Sequence, residues 1–165
     1  MATSAFTVAE RPAATSTDGG IRRVVLATDL SDTSSEATRR AFDVAAGLRA
    51  SLLVVSVIDE SVVHVKGSER VDQLQARREA AIVELVGRGR ARGLAIEYLI
   101  WTGEPATSIV DAATAESADL IVIGSHGRSG LGRAVLGSVS DHVVRHATCP
   151  VMVVRAGHAD HERPG

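Results

Sequence analysis

The stretch "ADLIVIGSHGRSGLGRAVLGSVSDHVVRH", Ala118 to His146, sets an apolar run, a glycine-rich loop and a segment of helical spacing in direct succession. Leu120, Ile121, Val122 and Ile123 follow one another without a polar break, the pattern of a strand covered on both faces. Gly137 opens the helical segment, and Val139 and Val143, four apart, mark its inward side. Strand, loop and helix make one unit of an alternating α/β chain, and the same alternation extends upstream and downstream.

Upstream, "RRVVLAT" (Arg22 to Thr28) reads as a first buried strand. Thr33 and Glu36 stand at the spacing of a capping box, and Ala37, Ala41, Val44, Ala45 and Leu48 mark one face of the helix that it would open. "SLLVVSVI" (Ser51 to Ile58) is a second strand. After an irregular stretch around His64 to Ser68 comes a longer helix with Val71, Leu74, Ile82 and Leu85 on one face, which Gly87, Gly89 and Gly93 are expected to end. "LAIEYLIW" (Leu94 to Trp101) is a third strand, and Pro105 suits the first turn of a third helix carrying Ile109, Val110 and Ala113. Downstream of the opening stretch, Pro150 leads into a last strand, "VMVVR".

Strands separated by helical crossovers pair in parallel, and right-handed crossovers in one sheet give a doubly wound fold. The expectation is a single, mostly parallel five-stranded sheet in the order 3-2-1-4-5 with helices on both faces, a Rossmann-like α/β domain. Ligands of such folds settle outside the carboxyl ends of the strands, where the winding direction reverses. In that order the reversal brings Thr28 and Asp29, at the end of the first strand, beside the glycine-rich loop that follows the fourth.

The chain of 165 residues suits one domain. Residues 1–20, rich in Ala, Thr and Ser, and residues 156–165, with Gly, His and charges, are expected to be flexible tails flanking a domain over 21–155. A net charge of -2 with mixed signs offers no cationic stripe for a nucleic-acid backbone. Lys66 is the one lysine among 18 basic residues, and it lies outside any phosphate loop, which sets a P-loop NTPase aside. One cysteine permits no internal disulfide, and the first residues lack a charged start followed by an apolar run, so a cytoplasmic protein without a membrane partner is expected.

The loop itself suits an anion. A phosphate held by backbone needs several amides converging on one concavity, and Gly124, Gly127, Gly130 and Gly132 allow the tight turns and close approach that this requires. The amides that open the helix at Gly137 and Ser138 add a positive dipole end, the Ser138 hydroxyl a further donor, and Arg128 and Arg133 charge. A plain surface loop, made flexible by glycine and solubilised by arginine, is the competing reading. Neither G-x-x-x-x-G-K-[ST] nor G-x-G-x-x-G occurs in the chain.

Gly124-x-x-Gly127, nine intervening residues and then Gly137-Ser138 resembles the nucleotide-binding signature of the universal stress protein family, in its ATP-binding branch. The likeness takes in Gly103 and Pro105, "ADLIVIGSHGRSGL" (Ala118 to Leu131), "LGSVS" (Leu136 to Ser140) and "CPVMVVR" (Cys149 to Arg155), and with Asp29 it covers about Arg22 to Arg155. The resemblance implies an adenine nucleotide, ATP or else AMP or cyclic AMP, with Mg2+ accompanying the phosphates. It implies that Asp29 bonds the ribose, that the Val57 backbone meets the adenine edge and that Gly124 lies against the ribose. It further implies that the amides of Gly127, Gly137, Ser138 and Val139, with the Ser138 hydroxyl, hold the phosphates. The neighbours Ala27, Thr28, Ile123, Ser125, His126 and Arg128 complete the expected contact set. It also implies a homodimer paired through the last strand, Pro150 to Arg155, and a sensor or regulator in the stress response. Slow ATP hydrolysis or nucleotide-dependent phosphotransfer, and a nucleotide-independent interaction protein, are the alternatives.

Efficient hydrolysis would need a metal and a group to orient water, and the chain shows no recognisable set for it. His142, His146 and Cys149 have a spacing that zinc tolerates, but they lack a fourth ligand, and helix packing before a buried strand explains them. Ser125 and His126 are adjacent, which does not suit a nucleophile and its base.

Overall fold

The computed structural model describes residues 20–59, 61, 68–125 and 136–155. Its elements are β1 (Arg23–Ala27), a 3-10 turn (Asp32–Ser34), α1 (Ser35–Leu48), β2 (Ser51–Asp59) and α2 (Ser68–Ala91), then β3 (Ile96–Gly103), α3 (Pro105–Ala115), β4 (Leu120–Gly124), α4 (Ser138–His146) and β5 (Val151–Val154). The sheet runs β3-β2-β1-β4-β5, and all four pairings are parallel. The α/β alternation and the order expected from the sequence are therefore what the chain adopts. Among the described residues no helix is long and apolar enough to cross a membrane.

The continuous apolar runs bury both faces of the central strands. Val24, Leu26, Leu52 and Val54 face Ala37, Ala41 and Phe42 of α1 and Ile82, Leu85 and Val86 of α2. Their neighbours Val25, Leu53, Val55 and Ile121 turn to the opposite side, against Ile109 and Ala112 of α3 and Val143 of α4. Each buried Val, Leu, Ile or Phe among them contributes about 1.5–3 kcal/mol, so the two layers outweigh local preferences in the loops.

Several local expectations need correction. Thr33 and Glu36 do not form a capping box, because Thr33 lies in the 3-10 turn and no side chain caps α1. The Thr33 hydroxyl lies 2.8 Å from that of Ser31, and Glu36 reaches forward to Arg39 and Arg40 instead of back. Leu48 is 49% exposed, since it occupies the last turn before the chain reverses at Arg49 (φ 53), and Phe42 takes the core place instead. Gly87 and Gly89 do not end α2. The helix runs through both to Ala91, and Gly93, at φ 79, makes the turn out. At Gly89 an added Cβ would stand 2.7 Å from Ile96 Cδ1, so this glycine lets α2 lie close to β3. Pro105 opens α3 as expected, with Glu104 before it accepting from the Ala106 and Thr107 amides. The two expected tails and the glycines between Gly127 and Gly132 lie outside the described residues.

Candidate functional site

Crossovers leave β1 toward β2 on one side and β4 toward β5 on the other, so the carboxyl ends of β1 and β4 diverge and open a cavity of about 340 Å³. Three strand ends contribute chemistry to it in spatial order: β4 with the start of α4, then β1, then β2.

At the β4 end, Gly137 precedes α4 in extended conformation (φ -64, ψ 157), and no side chain of the described residues caps the helix. The Ser138 and Val139 amides, in the first turn, have no intrahelical acceptor and carry the positive end of the dipole. The Gly137 amide is already engaged, donating to the Ser125 carbonyl at 2.8 Å. That carbonyl also accepts from Ser140 Oγ at 3.0 Å, while the Ser125 amide donates to Val154 at 2.7 Å. Ser125 is buried and ties β4, α4 and β5 together; the cavity wall is formed by Ile123, Gly124, Gly137, Ser138 and Val139. His126, Gly127 and Arg128 lie outside the described residues.

At the β1 end, Ala27, Thr28 and Asp29 all reach the cavity. Thr28 Oγ1 accepts from the Leu30 amide at 3.0 Å and bonds Ser34 Oγ at 2.9 Å, which holds Leu30 at φ 61 and turns the chain sharply. Asp29 Oδ1 accepts from the Ser31 amide at 3.0 Å and the Ser31 hydroxyl at 2.6 Å. Its other oxygen, Oδ2, is buried and has no hydrogen-bond partner among the described residues. A carboxylate oxygen only accepts, and one left unmet costs about 1–3 kcal/mol or more. The loop therefore holds Asp29 with one oxygen turned toward a donor that none of the described residues supplies.

At the β2 end, Val55 and Val57 form an apolar wall with Leu74 of α2 and Ile109 of α3, and Asp59 stands at the rim. Asp59 Oδ1 takes the Ser61 amide at 2.8 Å.

A helix amino terminus, a carboxylate and an apolar slot stand in a row across an open α/β sheet, and residues 20–155 match the model of the universal stress protein family. The chain belongs to the universal stress protein family. It is 34% identical over 139 residues to a universal stress protein of Methanocaldococcus jannaschii, covering 81% of this chain and 82% of that one. A universal stress protein in complex with cAMP has a TM-score of 0.66 and 29% identity, covering 84% of this chain and 99% of that one. Another, from Archaeoglobus fulgidus in complex with dAMP, has a TM-score of 0.62 and 26% identity, over 80% and 96%.

In this universal stress protein the sequence reading missed two cavity residues on α2, Leu74 as a wall and Arg78 as a charge. Arg78 is 8% exposed and donates from Nη1 to Ser56 Oγ at 2.9 Å and to the Val57 carbonyl at 2.7 Å. The signal was present, since Leu74, Arg78, Ile82 and Leu85 share one helical face and an arginine on an apolar stripe is out of place unless something inside needs it. His142 and His146 stack at 4.0 Å, with His146 Nδ1 2.9 Å from the His142 carbonyl. Burial pushes the Cys149 thiol up, with the Asp119 carboxylate adding to the shift.

Proposed function

We propose that the chain binds an adenine nucleotide across the ends of β4, β1 and β2 and works as a nucleotide-responsive sensor or regulator of the stress response. The observation that carries this reading is the buried, unmet Oδ2 of Asp29. A hydroxyl donor satisfies it, and a ribose presents such donors. Adjacent strands lie about 4.8 Å apart, so the row from α4 to β2 spans roughly 10 Å, the length of a nucleoside. Phosphates then fall on the Ser138 and Val139 amides and the Ser138 hydroxyl, with the Gly127 amide and Arg128 as further donors. The sugar falls on Asp29 and Gly124, and the base between Val57, Leu74 and Ile109. Complexes of family relatives with cAMP and dAMP support the same class of ligand.

ATP is the ligand of choice in this reading, because the amino end of α4 rewards negative charge. Mg2+ would enter as the counterion of the phosphates. The protein acts in the cytoplasm as a homodimer joined through Pro150 to Arg155, where β5 is an edge strand with Met152 exposed. The test is to denature purified protein, analyse the supernatant for released nucleotide, and titrate the emptied protein calorimetrically with ATP, AMP and cyclic AMP. Saturable binding with ATP tightest is expected. Heat-silent titrations with no released nucleotide would leave only an interaction protein.

A further inference from the structure

The turn that carries Asp29 is tied together by more than its own carboxylate. A hydroxyl has one hydrogen to give, and that of Ser34 goes to the Ser31 carbonyl at 2.7 Å. Thr28 Oγ1 is therefore the donor in its 2.9 Å contact with Ser34 Oγ, and it accepts in turn from the Leu30 amide at 3.0 Å. The result is one directed chain, from the Leu30 amide through Thr28 and Ser34 to the Ser31 carbonyl. Both residues are buried and line the cavity, yet both hydroxyl hydrogens are spent inside the turn. The start of α1 does not need this arrangement, because the Ser34 amide already holds the Ser31 carbonyl at 3.0 Å. What the Ser34 hydroxyl adds is a tie to Thr28, whose own amide is fixed to the Val55 carbonyl of β2 at 3.0 Å.

We infer that Ser34 is a positioning residue for the sugar end of the site: through Thr28 it fixes the turn that sets where Asp29 Oδ2 stands. The inference rests on the nucleotide reading, with a ribose at Asp29. Asp29 and Leu30 lie between the two tied points, and Leu30 is at φ 61, a conformation that a leucine keeps only where its surroundings hold it. The Asp29 carboxylate does not adjust by itself, since Ser31 takes its Oδ1 twice, at 3.0 and 2.6 Å. Carboxylate and turn therefore move as one body, and the bond between Thr28 and Ser34 joins that body to the end of β1. A hydrogen bond to a ribose hydroxyl weakens steeply with misalignment, so a turn free to shift loses the sugar first. The amides that open α4 belong to another element and are left as they are.

The probes are ATP and 2′,3′-dideoxy-ATP, which differ only in the ribose hydroxyls, each titrated calorimetrically into the full chain. Wild type is expected to favour ATP by at least roughly tenfold. Ser34→Ala cuts the tie and keeps the Ser34 amide, and the preference is expected to fall to about threefold or less. Thr28→Val cuts the same tie from the other side at equal shape and is expected to match it. Thr28→Ser keeps the hydroxyl and is expected to keep the wild-type preference. A purely structural role for the pair would lower both affinities together and leave the preference as it was. A full wild-type preference in Ser34→Ala, or in Thr28→Val should Ser34→Ala not fold, overturns the inference. So does a Thr28→Ser protein that behaves like Thr28→Val. In those cases wild type still tells the two triphosphates apart, and the nucleotide reading stands. Equal binding of the two by wild type overturns Asp29 as the sugar contact and the role of Ser34 with it, and failure of both to bind overturns the nucleotide reading as well.

Discussion

Asp29 has one carboxylate oxygen that its loop satisfies twice and one that it leaves bare. Asp29→Asn keeps the oxygen that holds Ser31 and replaces the bare acceptor, so the ligand-free variant is expected to be no less stable than wild type in thermal unfolding. A clear loss of Tm would mark Asp29 as structural instead. Glu104 has the opposite character: hydrogen bonds from Thr107, above all its amide, hold its carboxyl below the usual range. A lowered folded pKa means stability that is present above the unfolded value and lost as pH falls through the folded one. Glu104→Ala is therefore expected to cost about 1 kcal/mol near neutrality, with the difference from wild type shrinking in denaturant titrations below pH 4.5. The expected strand order put Asp29 beside the glycine-rich loop, and its role toward a ribose came from the family resemblance. The expected role of the Val57 backbone came only from the family resemblance, since a backbone carbonyl leaves no trace in side-chain identity. Arg78 was hidden in another way, by the assumption that a stripe with mostly apolar residues is apolar throughout.

Elements follow packing more closely than local signals. Thr33 and Glu36 had the spacing of a cap, but the tight turn through Leu30 and Ser31 supplies the start of α1 in their place. Gly87 and Gly89 look alike in sequence and differ in what surrounds them: nothing lies within 4 Å of a Cβ on Gly87, while one on Gly89 would meet Ile96 and Phe42. Gly87→Ala is expected to raise stability by about 0.5–1 kcal/mol, and Gly89→Leu to lower it by about 1–3 kcal/mol, both read from chemical denaturation. Equal effects at the two sites would mean that α2 does not press on β3 there. At the sheet edge, Met152→Asp leaves the fold of one protomer untouched, because the side chain is exposed. It is expected to turn the proposed dimer into a monomer in sizing measurements, and an oligomeric state equal to wild type's would contradict pairing through β5.

At the scale of the molecule, the order of strands was legible because unbroken apolar runs separated by helices leave parallel pairing as the natural solution. Strand order then placed Thr28 and Asp29 beside Gly124, Gly137 and Ser138 without any ligand in view. The reach of α2 over the β2 end depends on how close the helix can come to β3, which a glycine decides and no spacing rule foretells. In the proposed reading, a site laid across three strand ends meets phosphate, sugar and base at separate places, with Asp29 at the sugar. The decisive measurement is a calorimetric comparison of ATP with 2′,3′-dideoxy-ATP on wild type and on Asp29→Asn. Wild type is expected to bind ATP at least roughly tenfold more tightly than the dideoxy compound, and Asp29→Asn to bind the two alike. Equal binding of the two by the wild-type protein would contradict the account.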